Sequence, residues 1–386
     1  MFGMTRRALF ILVILTFTLS AFAADYEVFV GTYTGPHSKG IYSFSFDPAT
    51  GKVGSLQLAG ETEQPSFIAI DKQAKHLYAV NELDEYKGAK SGAVSVFDID
   101  PKTWKLTFEQ QVASLGGAPA YLTLDKTGHD LLVANYNGGN VVVFLIDTNG
   151  KLKDHTANDQ HSGKGPNPER QEGPHAHSVQ MTNDNRFAMS ADLGLDKVIV
   201  DKLDAAKGTL TPNDPPFATV EPGAGPRHLA FAPSGKFVYV LTEMGTTVVV
   251  FSLDPQTGAM KEVQSIPTVE KHDPANTGAE IELSRSGFFL YTSTRGADII
   301  TEYKVDPASG KLTLVDHFPS VAKEPRFFAL DPTGQWIFVA GQNSNNIVLF
   351  RVDKATGKLT PTDTKLEVGA PVCLVFVPEK AGTKAH

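Results

Sequence analysis

The sequence repeats one pattern about every 50 residues, and this repetition restricts the possible folds more than any other feature of the chain. Each copy opens with a proline or glycine that is followed by a run of β-branched and aromatic residues, as in PSFIAID, PAYLTLD and PRFFALDPTG. Aspartate-rich turns such as DPATG, DPQTG and DPASG recur between these openings. The copies begin at seven positions, which are Pro65, Pro119, Pro174, Pro226, Gly278, Pro325 and Pro371.

Within each copy the order of expected elements is strand, turn, strand, loop, strand, aspartate-rich turn and strand. The copy that begins at Pro226 reads HLAFAP, SGK, FVYVLTE, MGT, TVVVFSLD, PQTG and AMKEVQSI. No long window shows a helical hydrophobic period, which argues against a helical solenoid. Four antiparallel strands in about 50 residues are typical of a propeller blade. We therefore predict an all-β fold, a seven-bladed β-propeller with four antiparallel strands per blade, over residues 24–386.

The two ends of the chain complete the predicted ring. The last copy stops after one strand, residues 372–377, whereas residues 27–33 and 40–46 match the second and third strands of a copy. We predict that the last blade takes one strand from the C-terminus and three from the N-terminus. Such a joint leaves no unpaired strand edge, and an unpaired edge is the main liability of a β-array.

The first 23 residues resemble a secretory signal peptide. Arg6 and Arg7 precede the apolar run of residues 8–19, and Ala21 and Ala23 form a small-x-small cleavage site. The apolar run is short for a membrane span, so we predict a cleaved signal rather than a retained anchor. The mature protein is then periplasmic or secreted, without stable membrane association.

Composition narrows the classes of partner and cofactor. A formal net charge of −8 with 41% hydrophobic residues fits a globular protein without the basic surface of a nucleic-acid-binding protein. Cys373 is the one cysteine, which excludes an internal disulfide framework and a multi-cysteine metal site. No glycine-rich nucleotide-binding motif follows the first strand, and we predict no cofactor. The sequence leaves the oligomeric state open.

The repeats provide an internal control, because positions that serve packing should carry similar residues in every copy. At the third position after the opening residue, six copies have an apolar residue and one has His177. At the first position, three copies carry large ionisable residues, His175, Arg227 and Arg326. First and third residues of a strand share one face, so we expect these side chains to face the central channel together.

The end of the following strand supplies a second set of polar residues. Because the two strands are antiparallel, this end lies beside the start of the first strand, at the same mouth of the channel. The residues at this position are Glu82, Tyr136, Asp192, Glu243, Arg295 and Gln342. The combined sets predict an anion-binding pocket with an acid–base pair. The candidate substrate-binding residues are His175, Asp192, His228, Glu280, Arg326 and Gln342.

The polar residues at the channel mouth also have simpler interpretations. Charged residues at strand ends often form solvated ion pairs that have no further role. His175 and His177 could form half of a metal site, but no third histidine has an obvious place, and we predict no metal. Asp192 could serve only to orient a histidine.

Several of these segments resemble one known family. They are VGTYT (residues 30–34), the DPxTG turns, RQEGPHAHSV (170–179), GPRHLAF (225–231), the Thr242-Glu243 strand end and EPRFFALDPTG (324–334). Together they resemble the seven-bladed β-propeller lactonases, which include propeller-type 6-phosphogluconolactonases and fungal 3-carboxy-cis,cis-muconate lactonizing enzymes. The resemblance implies a catalytic set of one histidine, two arginines and one glutamate at the channel mouth. The matching positions are His177 (or His175), Arg227, Glu243 and Arg295, with Arg326 as a rival to Arg295.

This resemblance implies hydrolysis of a sugar lactone. Arg227 and Arg295 are expected to bind the anionic group and the carbonyl oxygen that gains charge, while His177 or Glu243 accepts a proton from water. Histidine is better matched to that task by its ordinary pKa. The 6-phosphogluconolactone that the family implies is cytosolic, so the predicted export argues against a phosphorylated substrate, and the sequence leaves open which lactone is hydrolysed, with unphosphorylated gluconolactone as one candidate. The alternatives are a muconate-type cycloisomerase and an exported binding or scaffold propeller without chemistry.

Overall fold

The structure, a computed structural model, describes residues 26–379 and confirms the predicted seven-bladed β-propeller. The predicted signal segment, residues 1–23, lies outside the described residues. Regular structure in the described part is β-strand apart from a short 3-10 helix, Leu193–Leu195. Within residues 26–379 no helix is long and apolar enough to cross a membrane.

The strands follow one another along the chain in the order that the repeats predict. The strands up to the end of the first complete blade are β1 (Tyr26–Thr32), β2 (Gly40–Asp47), β3 (Lys52–Val53), β4 (Gln57–Glu61), β5 (Ile68–Ile70), β6 (His76–Asn81), β7 (Ala93–Ile99) and β8 (Leu106–Ala113). The next two blades contain β9 (Pro119–Leu124), β10 (Asp130–Asn135), β11 (Asn140–Ile146), β12 (Leu152–Gln160), β13 (Ala176–Met181), β14 (Phe187–Asp192), β15 (Lys197–Asp204) and β16 (Thr209–Thr219).

The remaining strands form the fourth, fifth and sixth blades and return to the first strand. The fourth and fifth blades contain β17 (Pro226–Phe231), β18 (Phe237–Thr242), β19 (Thr247–Leu253), β20 (Met260–Pro267), β21 (Thr277–Leu283), β22 (Phe289–Arg295), β23 (Ile299–Val305) and β24 (Leu312–Pro319). The last strands are β25 (Pro325–Leu330), β26 (Trp336–Gly341), β27 (Asn346–Val352), β28 (Leu359–Glu367) and β29 (Pro371–Pro378).

Each blade is an antiparallel sheet whose first strand lies innermost. Blades 1 to 6 are β5–β8, β9–β12, β13–β16, β17–β20, β21–β24 and β25–β28. The first strands of neighbouring blades contact one another around the whole ring, from β5 to β9 and onward until β29 returns to β5. These innermost strands therefore form the wall of a central channel.

The seventh blade joins the two ends of the chain, as predicted. Strand β29 pairs with β1 from Tyr26 opposite Pro378 to Thr32 opposite Pro371, and β1 pairs in turn with β2. The outermost position is divided between β3 and β4, which both pair with β2. The ring is thus closed by backbone hydrogen bonds between residues far apart in sequence.

The aspartate-rich turns connect the third and fourth strands of a blade. In the DPQTG turn the Asp254 carboxylate accepts a hydrogen bond from the amide of Gln256 at 2.8 Å, and its carbonyl accepts one from Gly258. The equivalent glycine of the next blade, Gly310, has a φ of +70°, and a Cβ there would collide with the ring of Phe237. These turns therefore hold neighbouring blades in contact.

Apolar side chains fill the space between adjacent blades. Between blades 1 and 2, for example, Val80 and Val94 pack against Leu131 and Val133, all fully buried. Full burial of a valine or leucine side chain contributes about 1.5–3 kcal/mol. Because such a cluster lies between each pair of neighbours, the channel wall is a rigid frame for the polar side chains that it carries.

Candidate active site

Side chains enter the channel from β-bulges in the innermost strands. In β17, Pro226 pairs with Thr242 and His228 pairs with Leu241, which leaves Arg227 as an extra residue. A bulge bends its strand and redirects the extra side chain. The same shift of register occurs in four other blades, where the extra residues are Ala120, His177, Arg326 and Val372. These residues form a ring at one mouth of the channel.

This register corrects the predicted alignment of the third repeat. Ala176 pairs with Asp192 directly before the bulge, so the third copy opens at Ala176 and not at Pro174. His177 is therefore the counterpart of Arg227 rather than of an apolar core residue. First and third residues do not share one face, because the bulge lies between them. His177, Arg227 and Arg326 nevertheless face the channel together, as predicted.

A concave cavity of about 390 Å³, the outer cavity, opens at this mouth. Its walls come from the bulge residues, from residues at the ends of the second strands and from the connection between blades 2 and 3. The lining residues are Glu82, Ala120, Tyr136, Arg170, His177, Glu243, Thr277, Arg295 and Arg326. Side chains from blades 1 to 6 thus meet in one volume of the size that holds a small molecule.

Glu243 is a buried carboxylate that binds three arginines. Its Oε1 accepts a hydrogen bond from Arg170 Nη2 at 2.6 Å. Its Oε2 lies 3.1 Å from Arg227 Nε and 3.1 Å from Arg295 Nη2. Arg227 also donates from Nη1 to the carbonyl of Ala279. The predicted proximity of Arg227, Glu243 and Arg295 is therefore observed, with Arg170 as a further member of the cluster.

The charges of this cluster fix the protonation state of Glu243. Burial alone would raise the pKa of Glu243, but Arg295, Arg227 and Arg170 together lower that pKa to about 2. Burial, with Arg326 and Arg295 nearby, lowers the pKa of Arg227 to about 9, which leaves its guanidinium charged at neutral pH. Glu243 is consequently an ionised anchor for the arginines and a poor base.

Arg326 lies on the other side of the outer cavity, and no described carboxylate oxygen is within 4 Å of its guanidinium. The guanidinium carbon is 5.3 Å from the ring centroid of Tyr33, a cation–π contact. The Tyr33 hydroxyl in turn donates to the carboxylate of Glu82 at 2.9 Å. Arg326 is therefore held in place by an aromatic ring while its hydrogen-bond donors stay available to a ligand.

His177 lies beside Glu243 but makes no close pair with it. Its Nε2 is 3.8 Å from Glu243 Oε2, and its buried Nδ1 has no hydrogen-bond partner among the described residues. Burial, followed by the charges of Arg227 and of the neighbouring His228, holds the pKa of His177 well below its usual value. Its imidazole is therefore neutral at physiological pH.

Two other predicted residues, His228 and Glu280, lie deeper in the channel. They do not line the outer cavity; His228 lines a small inner cavity below it, together with Arg227 and His177. Glu280 lies behind His228 and faces a separate cavity of about 350 Å³ at the opposite mouth. The rings of Phe67 and Tyr121 lie between these two regions in a tilted contact, with centroids 4.1 Å apart.

Besides Glu280, three of the predicted substrate-binding residues, His175, Asp192 and Gln342, line neither cavity at this mouth. His175 stacks on the ring of Tyr136 with centroids 4.5 Å apart, and its Nδ1 donates to the Tyr136 carbonyl. His175 and His177 thus contact the same tyrosine ring, but only His177 lines the outer cavity. Gln342 follows β26, and its buried Oε1 has no partner among the described residues.

Asp192 has a structural role in the third blade. It pairs with Ala176, so the strand-end position of this blade belongs to Leu193 and not to Asp192. Its carboxylate is fully buried and accepts hydrogen bonds from the amide of His175 at 2.8 Å and from Nδ1 of His161 at 2.6 Å. The histidine that Asp192 orients is therefore His161, which does not line the outer cavity.

The His161–Asp192 pair predicts a specific loss of stability at alkaline pH. Burial lowers the pKa of His161, but hydrogen bonds to Asp159 and Asp192 outweigh it and raise the pKa to about 9. A raised histidine pKa stabilises the fold fully below about pH 6.5, and this contribution of about 3 kcal/mol is lost as the pH rises to 9. Urea unfolding should show that the free energy of unfolding falls more between pH 6 and pH 9.5 for wild type than for His161→Asn. Equal falls in both proteins would contradict this account.

Arg170 is a cavity residue that the repeat analysis did not select. It lies in residues 161–175, the longest connection between consecutive blades, which has no equivalent in the other repeats. Its Nη2 reaches Tyr136 Oη at 3.1 Å as well as Glu243. Glu82 and Tyr136 occupy the predicted strand-end position, but their residue type gave no reason to name them as candidate site residues. The length of the connection was the available signal for Arg170.

Comparison with known proteins agrees with this architecture. The family model described as "Lactonase, 7-bladed beta-propeller" matches residues 27–376. The chain belongs to this lactonase family. The resemblance inferred from the sequence motifs is thereby confirmed.

Relatives of this lactonase-family chain include curated proteins and solved structures. A 6-phosphogluconolactonase of Bacillus subtilis is 34% identical over 309 residues, which are 80% of this chain and 86% of the relative. A putative 6-phosphogluconolactonase from Bacteroides fragilis has a TM-score of 0.86 at 34% identity, covering 93% of this chain and 99% of that structure. A periplasmic gluconolactonase of Pseudomonas aeruginosa has a TM-score of 0.86 at 33% identity, covering 92% and 100%.

Proposed function

We propose that this lactonase-family chain hydrolyses a sugar lactone in the outer cavity. The observation that carries the proposal is the charge of the cavity. Three guanidinium groups, those of Arg170, Arg295 and Arg326, line it, and Glu243 and Glu82 are its carboxylates. A fourth guanidinium, that of Arg227, lines the small inner cavity and binds Glu243. This concentration of positive charge on a chain of net charge −8 favours a ligand that is anionic or that becomes anionic during reaction.

The arginines differ in what they can do for a substrate. Arg227 is committed to Glu243 and to a backbone carbonyl, so it serves the cluster rather than the ligand. Arg326 and Arg295 line the outer cavity, which Arg227 does not, although Arg295 also binds Glu243 and the Gly278 carbonyl. These two guanidiniums are placed to stabilise the oxyanion that forms when water attacks the lactone carbonyl. This differs from the sequence-based assignment, in which Arg227 and Arg295 bound the substrate.

The family relatives suggest the class of lactone. The Bacillus subtilis relative is named for 6-phosphogluconolactone, and the Pseudomonas aeruginosa structure is described as a periplasmic gluconolactonase. The N-terminal residues 1–23 have the pattern of a secretory signal. We infer from this combination an exported, periplasmic or secreted, enzyme that acts on unphosphorylated gluconolactone, because the phosphorylated lactone is formed inside the cell.

A pH-stat assay tests this function directly. The mature chain should release acid from δ-gluconolactone faster than buffer does, with a higher kcat/KM than for the 6-phosphate ester. A preference for the phosphate ester would contradict the proposed substrate while leaving lactone hydrolysis intact. Rates equal to buffer on both lactones would overturn the proposed function itself.

A further inference from the structure

The small inner cavity lies directly below the outer cavity and shares residues with it. Its volume is about 10 Å³, room for about one water molecule. His177, Glu82 and Arg326 line both cavities, whereas Arg227 and His228 line only the inner one. A water held there would lie next to a lactone bound above it.

The His228 ring is fixed by a carboxylate on its inner side. Its Nδ1 is 3.0 Å from each oxygen of Glu280, and the pair is buried. Glu280 is held in turn, because its Oε1 accepts from the Ile281 amide at 2.9 Å and its own amide donates to Ser293 Oγ. This arrangement matches the histidine–carboxylate pairs in which the carboxylate sets the tautomer of the ring.

The opposite nitrogen of the His228 ring has no partner within residues 26–379. His228 is 3% exposed, and its Nε2 is buried without a hydrogen-bond partner among the described residues. The ring is also confined by its neighbours, since the centroids of Tyr121 and His177 each lie 5.2 Å away at steep angles. A buried polar nitrogen without a hydrogen-bond partner lowers the stability of the fold, so its presence in the channel wall requires an explanation.

We propose that the inner cavity holds the water that attacks the lactone, and that His228, oriented by Glu280, is the base that takes its proton. This rests on the proposed lactone hydrolysis and identifies its base. His228 lines the inner cavity, its Nε2 lies on the side of the ring opposite to Glu280 and has no partner among the described residues, and Arg326 lines both cavities, at the boundary where the oxyanion would form. Glu280 acts as a positioning residue, because it touches His228 and not the substrate.

The proposed steps balance without any co-reactant besides water. The water oxygen bonds to the carbonyl carbon, its proton moves to His228 Nε2, and the carbonyl electron pair moves onto the oxygen that the guanidiniums stabilise. Collapse of this intermediate breaks the bond from the carbonyl carbon to the ring oxygen. The proton on His228 Nε2 then passes to the ring oxygen, which leaves as a hydroxyl and gives the open hydroxy acid.

The electrostatic surroundings give this pair a distinct pH response. Burial, followed by the charges of Arg227 and Arg326, holds the pKa of His228 well below its usual value, so its ring is neutral in the absence of substrate. Burial raises the pKa of Glu280 to about 8, although the nearby Arg227 opposes that rise. A protonated Glu280 donates to Nδ1 and puts the ring hydrogen on Nε2, whereas an ionised Glu280 accepts from Nδ1 and frees Nε2 as a base. The titratable and charged groups that act on the pair from the surrounding elements are Tyr121, His177, Arg227, Glu243, Glu282, Arg295, Arg326 and Cys373. Activity should therefore rise with pH through about 8.

The test compares His228→Gln and Glu280→Gln with wild type in δ-gluconolactone hydrolysis from pH 6 to 9, corrected for buffer hydrolysis. His228→Gln should lower kcat by about 100-fold or more with KM within about threefold, the pattern of a lost general base. In Glu280→Gln the Ile281 amide fixes the carboxamide oxygen, so the NH2 group donates to Nδ1 and holds the hydrogen on Nε2. This variant should lose activity and lose the rise near pH 8.

Two additional variants separate this role from a merely structural one. Glu302→Gln changes another buried carboxylate of the same blade, which lies outside both cavities, and it should keep wild-type kcat and pH profile. Glu280→Asp retains a carboxylate and should keep part of the activity and the rise with pH. An active wild type with unchanged kcat in His228→Gln would overturn the assignment and leave the proposed function standing. An inactive wild type would instead overturn the proposed function.

Discussion

Replacement of Glu243 by glutamine should be the most damaging single substitution in the outer cavity. The change keeps the shape of the side chain but removes the charge that holds Arg170, Arg227 and Arg295 together. Breaking a buried ion pair in this way typically costs about 3–5 kcal/mol of the free energy of unfolding. Lactone hydrolysis should also fall by about 100-fold or more, because the arginines lose their fixed positions.

Urea unfolding and pH-stat kinetics measure the two effects in one set of samples. Glu302→Gln is the matched control, since both Glu302 oxygens are buried without a partner among the described residues, and burial raises the pKa of Glu302 to about 7. It should leave stability at pH 8 unchanged or improve it. A Glu243→Gln protein with wild-type stability and rate would show that the arginine cluster is not held by this carboxylate.

Replacement of Arg326 by methionine should have the second large effect. It should lower the rate of lactone hydrolysis far more than the free energy of unfolding. Because Arg326 has no ion pair within 4 Å among the described residues, the free energy of unfolding should change by about 1 kcal/mol or less. The kcat/KM for δ-gluconolactone should fall by about 100-fold to 1,000-fold, as expected when one donor to an oxyanion is removed.

Arg285→Met provides the comparison for Arg326→Met. Arg285 lines the cavity at the opposite mouth, beyond the aromatic rings of Phe67 and Tyr121, so its loss should leave kcat/KM unchanged. If Arg326→Met keeps the wild-type rate, or if Arg285→Met loses as much activity, the substrate does not bind where the outer cavity lies.

The sequence predicted the fold well because the repeated pattern carries the information that the fold uses. The order of strands and turns within each copy specifies how its strands pair. The glycines of the aspartate-rich turns and the strands at the two chain ends specify further local pairings, and the ring follows from seven such units. These features depend on short stretches of chain. The strand boundaries of β1, β2 and β29 accordingly lie within one residue of their predictions.

The site was predicted less completely, for two physical reasons. Pro174 lies two residues before Ala176, the residue that opens the third copy in the structure, so a count from Pro174 aligned His177 with the apolar third positions of the other copies and Asp192 with their strand ends. The second reason is that Arg170 lies in a connection without any repeat counterpart, where comparison among copies has no reference. Arg227, Glu243 and Arg295 were predicted together because their copies have the regular offset.

The location of the substrate is tested most directly by a crystal structure of the mature chain with δ-gluconolactam, an analogue whose ring nitrogen resists opening. We predict that the lactam binds in the outer cavity, with its carbonyl oxygen within hydrogen-bond distance of Arg326 or Arg295 and a water beside His228 Nε2. Binding of the lactam at the opposite mouth, against Glu282 and Arg285, would contradict the account.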